Sequence, residues 1–424
     1  MCNVDQLREK LLNGAYSPVF EKLYGREAAR MPARYAEATS AFGELFGKSR
    51  EVRLFSAPGR TEIGGNHTDH QRGCVLAAGV NLDVIAVASP NADNVIRLKS
   101  KGYDMDTVQL DVLPPRQGEE GTSAALIRGV CAGFHSRGLR FGGFDAYTTS
   151  DVLKGSGLSS SAAFEVLVAT ILSYLYNDGS IGPVPCAQVS QYAENVYFGK
   201  PSGLMDQMAS AVGGFVGIDF KDLENPVIEK VDFDFSAAEH TLCIVDTGGS
   251  HADLTHEYAA IPADMKTVAA YFGKQVLREV EETSFWSSIP QIREACGDRA
   301  CLRAMHFFED NRRAILEKKA LQKGDFAGFL NIVNDSGRSS LMKLQNIFAA
   351  SDPQEQSVTV ALAMASRLLQ GRGACRVHGG GFAGTIQAFV PNDILESFRD
   401  GIEAVTGKNT CYMLSIRSLG GVEI

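Results

Sequence analysis

The chain has 424 residues, of which 45% are hydrophobic, and its formal net charge at pH 7 is −9. A chain of this length exceeds one typical hydrophobic core, so we expect two lobes. The acidic balance argues against nucleic acid or an acidic membrane surface as a partner, since both bind basic faces.

The first half of the chain alternates between helical and strand-like apolar patterns. They predict helices over residues 7–46, 124–136 and 162–175 and strands over residues 52–56, 83–89, 95–99 and 144–149. The pattern is interrupted at residues 221–226, which read Lys-Asp-Leu-Glu-Asn-Pro. We therefore predict an N-terminal lobe over residues 1–220 and a C-terminal lobe over residues 221–424.

The second half is mainly helical. Its patterns predict helices over residues 258–282, 301–320, 325–343, 356–369 and 394–405, with strands over residues 241–246 and 411–416. A glycine-rich segment at residues 377–384 leads into a further strand-like stretch that ends at residue 390. This segment is either a second backbone cradle or a hairpin.

A glycine- and serine-rich turn joins the strand at residues 144–149 to the helix at residues 162–175. It consists of Gly155, Ser156, Gly157, Leu158, Ser159, Ser160 and Ser161. Glycines let a backbone approach an anion closely, and the N-terminus of a helix attracts negative charge. Walker spacing is absent, because Lys154 precedes the glycines. From these residues alone, a phosphate cradle and a flexible connection with good capping residues both stay open.

A second polar segment, residues 57–70, lies between two strand-like runs, and this position is typical of a functional loop. Residues 59–70 read Gly-Arg-Thr-Glu-Ile-Gly-Gly-Asn-His-Thr-Asp-His. They resemble the galactokinase signature Gly-Arg-Val-Asn-Leu-Ile-Gly-Glu-His-Thr-Asp-Tyr. The phosphate turn is similar to the Gly-x-Gly-Leu-Ser-Ser-Ser-Ala motif of the wider GHMP small-molecule kinase family. Further matches lie at residues 203–207, 257–258, 303–306 and 379–384, so the resemblance extends from about residue 50 to the end.

The resemblance implies an α+β fold of two lobes, with the active site in the cleft between them. It also implies that Asp206 is the catalytic base and that Arg60 stabilises the transferring phosphoryl group. At the start of a helix, the dipole would keep the Asp206 carboxylate ionised. The residues by themselves also allow a plainer interpretation, in which Asp206 caps the helix and Arg60 is its salt-bridge partner on the surface.

For cofactors, the resemblance implies ATP on the phosphate turn and Mg²⁺ held by Ser161 and Glu194. Magnesium prefers oxygen ligands and keeps several waters beside nucleotide phosphates, so one hydroxyl and one carboxylate suffice. The alternative interpretations are a capping hydroxyl for Ser161 and a solvated surface position for Glu194.

For the sugar, the resemblance implies a site whose polar groups pair with specific hydroxyls. The residues that match the family's sugar site are Asn66, His67, Thr68, Asp69, Gly203 and Tyr258. Galactokinases have Glu where this chain has Asn66, and galacturonate kinases also lack that Glu, so a carboxylated sugar is an alternative substrate. Two smaller departures are His378, where Thr is usual, and Ala383, where Gly is usual.

Together these features predict an ATP-dependent sugar 1-kinase that phosphorylates the anomeric hydroxyl of galactose, or alternatively of galacturonate or another derivative. A non-catalytic sensor of galactose and ATP is the alternative from another class, but such relatives have a shortened serine loop, whereas the loop here is complete. A kinase for a non-sugar alcohol such as homoserine or mevalonate fits the polar loop at residues 66–69 less well.

The sequence carries no mark of export or membrane insertion. Residues 1–10 include acidic residues and lack the apolar core of a secretory signal. No apolar run approaches the roughly 18 to 20 residues that span a bilayer. The nine cysteines are scattered, without a Cys-x-x-Cys pair. We therefore expect a cytoplasmic protein with reduced thiols, whose partners are a small sugar and ATP.

Overall fold

The computed structural model describes residues 2–152, 157–200, 202–249 and 254–424. Two residues of the predicted phosphate turn, Gly155 and Ser156, lie outside these ranges. Helices and strands are mixed along the described chain, which confirms the predicted α+β class.

Two sheets form the frame of the described structure. Their strands are β1, Cys2–Asn3; β2, Glu51–Gly64; β3, Cys74–Pro90; β4, Val95–Ser100; β5, Met105–Gln109; β6, Phe144–Ser150; β7, Phe215–Asp219; β8, Val227–Val231; β9, His240–Asp246; β10, Ala374–His378; β11, Thr385–Pro391; β12, Cys411–Leu414; and β13, Val422–Glu423.

The larger sheet has the order β1-β2-β3-β6-β4-β5, with β13 also on β2, β7 on β3 and β8 on β7. Strands β8 and β13 come from beyond residue 220, so both halves of the chain contribute to it; the lobe boundary stays a prediction. The smaller sheet is antiparallel, in the order β10-β11-β9-β12. The register of β2 on β3 shifts between Pro58 and Arg60 and again between Glu62 and Gly64. Such irregularities re-aim side chains along a strand.

Fourteen helices surround these sheets in the described chain. They are α1, Val4–Leu12; α2, Ser17–Tyr24; α3, Met31–Phe46; α4, Ser123–Ser136; α5, Ser160–Tyr176; α6, Pro183–Tyr192; α7, Met205–Val212; α8, Thr255–Tyr271; α9, Glu282–Ser287; α10, Ile289–Cys296; α11, Asp298–Gln322; α12, Phe326–Ser339; α13, Ser357–Leu369; and α14, Leu395–Thr406. Among the residues described, no helix combines the length and the apolar character needed to cross a membrane.

The core is divided by the larger sheet. On one face, α1 to α3 pack against Val52, Leu54, Ile85 and Val87 of β2 and β3. On the other face, α5 is mostly apolar and packs between the sheet and α4, α6 and α7. The smaller sheet is covered by α13 and α14, and α8 to α11 pack in a separate helical cluster. The phosphate turn therefore precedes a helix whose middle is buried in the core.

Two predicted elements end elsewhere than expected. The segment at residues 57–64 was expected in a loop but continues β2, because its polar side chains find buried partners instead of solvent. The predicted helix at residues 258–282 ends at Tyr271, since Gly273 adopts a φ of +68° and the Lys274 N–H turns back to Ala269.

Candidate active site

Strand β2 and helix α7 bring Arg60 and Asp206 into contact. Arg60 Nε donates to Asp206 Oδ1 over 2.7 Å, and the Ser159 hydroxyl donates to Asp206 Oδ2. The Arg60 side chain is 9% exposed and the Asp206 side chain 22% exposed. The helix itself is capped by Leu204, without a side-chain bond. The pair is therefore interior, and the interpretation of Asp206 as a cap with Arg60 as its surface partner is wrong.

Each member of this pair favours the ionised form of the other. Burial by itself would raise the pKa of Asp206, but the charge and hydrogen bond of Arg60 and the Ser159 hydroxyl outweigh it, so the pKa lies below its usual 3.8. Burial likewise opposes the charge of Arg60, yet Asp206 raises the pKa of the guanidinium above its ordinary value. At neutral pH, Asp206 can accept a proton while Arg60 presents positive charge.

The described part of the phosphate turn is held against β2. The Arg60 N–H donates to the Leu158 carbonyl over 3.1 Å, and Arg60 Nη1 donates to the Gly157 carbonyl. A Cβ on Gly59 would lie 3.0 Å from the Leu158 carbonyl oxygen, so this close approach needs a glycine. Ser159 adopts a left-handed φ of +54° immediately before α5, a conformation that is uncommon for a residue other than glycine. The turn is fixed by its neighbours beside the Arg60–Asp206 pair.

Glu194 lies close to Ser161, as the predicted metal site requires. It is 1% exposed and sits in a π-helical turn that follows α6, a local form often found at functional sites. Glu194 Oε1 accepts from the Ser161 hydroxyl over 3.0 Å and from Lys200 Nζ over 2.8 Å. Glu194 Oε2 accepts from the Ser202 hydroxyl over 2.5 Å and from Gln207 Nε2 over 2.8 Å. The interpretation of Glu194 as a solvated surface residue is therefore wrong.

A second carboxyl group, that of Glu165, lies behind Glu194. It is fully buried; Gln207 Nε2 donates to its Oε2 over 3.1 Å, and its Oε1 has no partner among the described residues. Burial first, and then the charge of Glu194, raise the pKa of Glu165 well above its usual value. We call Ser161, Glu165, Glu194, Lys200 and Gln207 the carboxylate cluster. Glu165 was considered as a weaker metal candidate and left out of the predicted site, and Lys200 was not considered, because it belongs to no motif.

Three of the predicted sugar-binding residues converge on the glycine turn at residues 379–381. Asn66 Nδ2 donates to the first carbonyl of this turn over 2.7 Å, His67 Nε2 lies 3.1 Å from the second, and Tyr258 Oη donates to the third over 3.0 Å. A Cβ on Gly380 would lie 2.6 Å from Tyr258 Cε1, so the turn needs a glycine there. The third glycine segment is thus a turn that binds these side chains through its backbone.

Asp69 and Gly203 also meet. A Cβ on Gly203 would lie 2.8 Å from Asp69 Oδ2, so the missing side chain leaves room for the Asp69 carboxylate. Gly203 itself lies three residues before Asp206. Thr68 is fully buried, and its hydroxyl bonds to the Gly65 and Cys74 carbonyls over 2.8 and 2.7 Å. Thr68 therefore shapes the loop from inside, whereas Asp69 is partly exposed and interacts electrostatically with Arg60.

Asn66 is completely enclosed. It is 0% exposed; its Nδ2 donates to Glu62 Oε1 over 2.9 Å, and its Oδ1 accepts from Asn346 Nδ2 over 2.9 Å. Arg376, also fully buried, donates to the same Glu62 oxygen over 2.7 Å. We call Glu62, Asn66, Asn346 and Arg376 the signature network. Since these contacts occupy the Asn66 amide, its direct contact with a sugar stays a prediction.

Three of the positions that depart from the signature lie around Asn66. Where the galactokinase signature has Asn, Ile and Glu, residues 62, 64 and 66 are Glu, Gly and Asn. The carboxylate and the amide are thus interchanged relative to the signature, and in this chain they bond to each other. A Cβ on Gly64 would lie 1.6 Å from Glu317 Oε2, so the glycine makes room for that buried carboxyl. Of these departures only Asn66 was predicted to affect the sugar site, although Glu62 departs from the same signature.

The two departures in the third segment are also buried. His378 Nδ1 is 2.9 Å from the Thr385 hydroxyl and its Nε2 is 3.1 Å from the Thr61 hydroxyl. A Cβ on Gly157 would lie 3.0 Å from His378 Nδ1, so the ring supports the phosphate turn from below. Ala383 packs beside Gly249, whose Cβ would lie 3.0 Å from the alanine methyl group.

Comparison with known proteins places this geometry in a family. Residues 40–90 match the galactokinase galactose-binding signature, and residues 125–214 match the GHMP kinases N terminal domain. The galactokinase of Streptomyces coelicolor is 32% identical over 370 residues, which cover 86% of this chain and 89% of that protein. Human galactokinase is 33% identical over 360 residues, which cover 82% of this chain and 86% of that protein. The chain belongs to the galactokinase family.

Solved structures agree with this galactokinase assignment at the level of the fold. The structure of Lactococcus lactis galactokinase complexed with galactose has a TM-score of 0.77 and 23% identity, and the match covers 92% of this chain and 100% of that one. Mevalonate kinase of Methanococcus jannaschii has a TM-score of 0.60 and 13% identity, with 86% and 98% covered. The predicted GHMP kinase fold and the galactokinase-like phosphotransferase class are both confirmed.

Proposed function

We propose that this protein transfers the γ-phosphoryl group of ATP to the anomeric hydroxyl of galactose and gives galactose 1-phosphate and ADP. The observation that carries the proposal is the interior Arg60–Asp206 ion pair, 2.7 Å between Nε and Oδ1, next to the serine-rich turn. Phosphoryl transfer needs little covalent help from a protein; it needs positioning, a proton acceptor and positive charge.

In this reaction Asp206 accepts the proton of the anomeric hydroxyl as the sugar oxygen bonds to the γ-phosphorus. The bond between that phosphorus and the β-bridging oxygen breaks, and ADP leaves with the electron pair. Arg60 compensates the negative charge that develops on the transferring oxygens. Ser159, which donates to Asp206 Oδ2, keeps the carboxylate turned towards the turn.

The carboxylate cluster has the chemistry that suits magnesium. Ser161 and Glu194 offer a hydroxyl and a carboxylate oxygen 3.0 Å apart, and Mg²⁺ usually completes a small set of such ligands with phosphate oxygens and water. A bound Mg²⁺ would neutralise charge on the nucleotide phosphates. Gly157 to Ser161, at the N-terminus of α5, would hold those phosphates through backbone N–H groups.

For the sugar, Asp69 is the partly exposed carboxylate nearest to Gly203, and His67 and Tyr258 approach from the side of the glycine turn. Burial first, and then His70, lower the pKa of His67 to about 3, so its ring is neutral and suited to hydroxyl hydrogen bonds. Asn66 and Thr68 position these residues from behind. Galactose fits such a site better than galacturonate, because Arg376, a buried cation behind it, is already paired with Glu62.

The proposal is tested by Mg-ATP-dependent release of ADP with galactose, galacturonate, N-acetylgalactosamine, glucose and a blank without sugar. We expect turnover to be fastest with galactose, and Asp206→Asn to lower kcat by about 10² to 10⁴-fold, the usual contribution of a general base. Sugar binding, measured by calorimetry, should change little in that variant. A preference for galacturonate would contradict the assigned sugar, and nucleotide binding without ADP release on any sugar would favour a sensor.

A further inference from the structure

Lys200 is a cation that the family motifs do not account for. Its ammonium group binds Glu194 Oε1 at 2.8 Å, the same oxygen that accepts from the Ser161 hydroxyl at 3.0 Å. Glu194 is 1% exposed, whereas the Lys200 side chain is 56% exposed. A fixed carboxylate is thus held by a lysine whose stem lies largely in solvent.

The position of this ammonium conflicts with a metal ion between Ser161 and Glu194. A metal ion held by Ser161 and by the Glu194 oxygen nearest to it would share that oxygen with the Lys200 ammonium, and two positive charges so close together would repel each other strongly. The Lys200 ammonium can move away from Glu194, because a long, solvated side chain changes rotamer at little cost in free energy. The Glu194 carboxylate cannot, because Ser202 and Gln207 hold its other oxygen.

We propose that Lys200 is a resident counter-cation of Glu194, that Mg²⁺ displaces it when the Mg-nucleotide binds, and that its ammonium then contacts the nucleotide phosphates. The inference rests on the proposed function and adds a positioning residue to it. The displaced ammonium stays in an acidic region, since Lys200 interacts electrostatically with Asp206 and Glu165 as well as with Glu194. Triphosphate oxygens are the natural new partners for a lysine in such a place.

The exchange gives two effects of opposite sign when the ammonium is removed. In Lys200→Met, Mg²⁺ no longer competes for Glu194, so the Mg²⁺ concentration for half-saturation should fall. The phosphates lose a charged contact, so the nucleotide dissociation constant at saturating Mg²⁺ should rise. A purely structural role for Lys200 would weaken both constants together, or neither.

The experiment is calorimetric titration of the full-length protein with adenylyl imidodiphosphate, a non-hydrolysable ATP analogue, over a series of Mg²⁺ concentrations. For Lys200→Met we expect about tenfold tighter apparent Mg²⁺ binding and about tenfold weaker binding of the analogue, each the size of one charge-assisted contact. Lys200→Arg should retain most of the analogue affinity. Binding of Mn²⁺ to the protein–analogue complex, counted by electron paramagnetic resonance, gives a second measure of the metal constant.

Two controls make the result decisive. Lys221→Met removes an exposed lysine outside the cluster and should leave both constants unchanged. Ser202→Ala removes a neutral donor from Glu194 Oε2 and should not tighten Mg²⁺ binding. Constants in Lys200→Met equal to those of Lys221→Met would overturn the inference. Failure of the unmodified protein to bind the Mg-analogue at all would instead overturn the proposed function.

Discussion

The signature network and the carboxylate cluster both place acidic groups beside the active site, but they hold them in different ways. In the signature network, Glu62 is paired with Arg376, a fully buried cation that also bonds to two backbone carbonyls. In the carboxylate cluster, Glu194 is paired with a lysine that is more than half exposed. A sealed pair fixes structure, because neither charge can be solvated; an open pair can exchange its cation for a ligand.

The largest expected difference between the two regions is in stability. Arg376→Met leaves Glu62 buried without its cation and should lower the free energy of unfolding by about 3 to 5 kcal/mol. Glu194→Gln lets Lys200 move into solvent and keeps an amide oxygen that can accept from Ser202 and Gln207, so it should cost less, about 1 to 2 kcal/mol, while abolishing Mg²⁺-dependent turnover. Urea unfolding of the two variants measures this contrast. Arg372→Met, which removes a half-exposed arginine paired with Asp393, is the matched control and should cost less than about 1 kcal/mol. Equal losses for Arg376→Met and Glu194→Gln would contradict the distinction.

The exchanged amide and carboxylate provide the next test. Asn66→Asp puts two carboxylates within hydrogen-bond distance in the interior and should cost about 2 to 3 kcal/mol of stability. Adding Glu62→Gln restores one donor and one acceptor between these positions, so the double variant should recover about 1 kcal/mol of that loss. A double-mutant cycle of unfolding free energies measures the coupling. Strictly additive losses would show that the two positions do not act as a unit.

The same contrast explains what the sequence could predict. The Arg60–Asp206 and Ser161–Glu194 contacts were anticipated, because the resemblance to galactokinases and other GHMP kinases implies that these residues lie together; the residues alone left plainer interpretations open. The assignment of class and family rested on the same resemblance. Two neighbouring contacts could not be predicted. Arg376 binds Glu62 from 314 residues away, and Lys200, which binds Glu194, belongs to no motif.

Burial was the second quantity that the sequence concealed. Residues 57–64 have the polarity of an exposed loop, yet they are buried in β2, because Arg376 and Asn346 supply internal partners for Glu62 and Asn66. The local sequence around Glu194 likewise allowed a surface position, because the donors that bind its carboxylate in the interior could not be read from it. A polar residue in the interior cannot be distinguished from one in solvent until the rest of the chain provides its hydrogen bonds.

Glu317, which lies against Gly64 beside the signature network, is a buried carboxyl group without a paired cation in the described part of the chain, and it gives a smaller test. It is fully buried, neither carboxyl oxygen has a partner among the described residues, and burial, followed by the charge of Asp310, raises its pKa well above the usual value. The native state therefore holds the Glu317 proton more tightly than the unfolded state does. Stability falls as pH rises above about 4.5, until the pKa of the native state is passed.

Removing the carboxyl group should therefore stabilise the protein, and more so at higher pH. We expect Glu317→Gln to raise the free energy of unfolding by about 1 kcal/mol at pH 7.5 and by less at pH 4.5, measured by urea unfolding at both values. Glu317→Leu, which has a similar volume and no polar atoms, is a second variant that should act in the same direction. A loss of stability in both variants would show that the carboxyl group has a partner that outweighs its burial.

A second pH-dependent effect comes from His378, whose ring lies between Thr61 of β2 and Gly157 of the phosphate turn. Burial first, and then the charge of Arg60, lower the pKa of His378 to about 3. Between pH 6.5 and 3 the unfolded state binds a proton at this residue and the native state does not. Stability must therefore fall with decreasing pH through this window, by about 1.4 kcal/mol for each pH unit per histidine.

The test is urea unfolding at pH 6.5, 5.5 and 4.5 of the unmodified protein, His378→Asn and His135→Asn. Asparagine at position 378 does not titrate, so this variant should have a shallower pH dependence, by the contribution of one histidine, whatever its stability at pH 6.5. His135→Asn, which removes an exposed histidine on α4 far from the site, is the matched control variant. Parallel slopes for all three proteins would mean that His378 is protonated in the native state. The His378 ring would then carry a positive charge next to the turn proposed to hold the nucleotide phosphates. In that case His378 would resemble Lys200, a cation available to a ligand, more than Arg376, a cation paired permanently with Glu62.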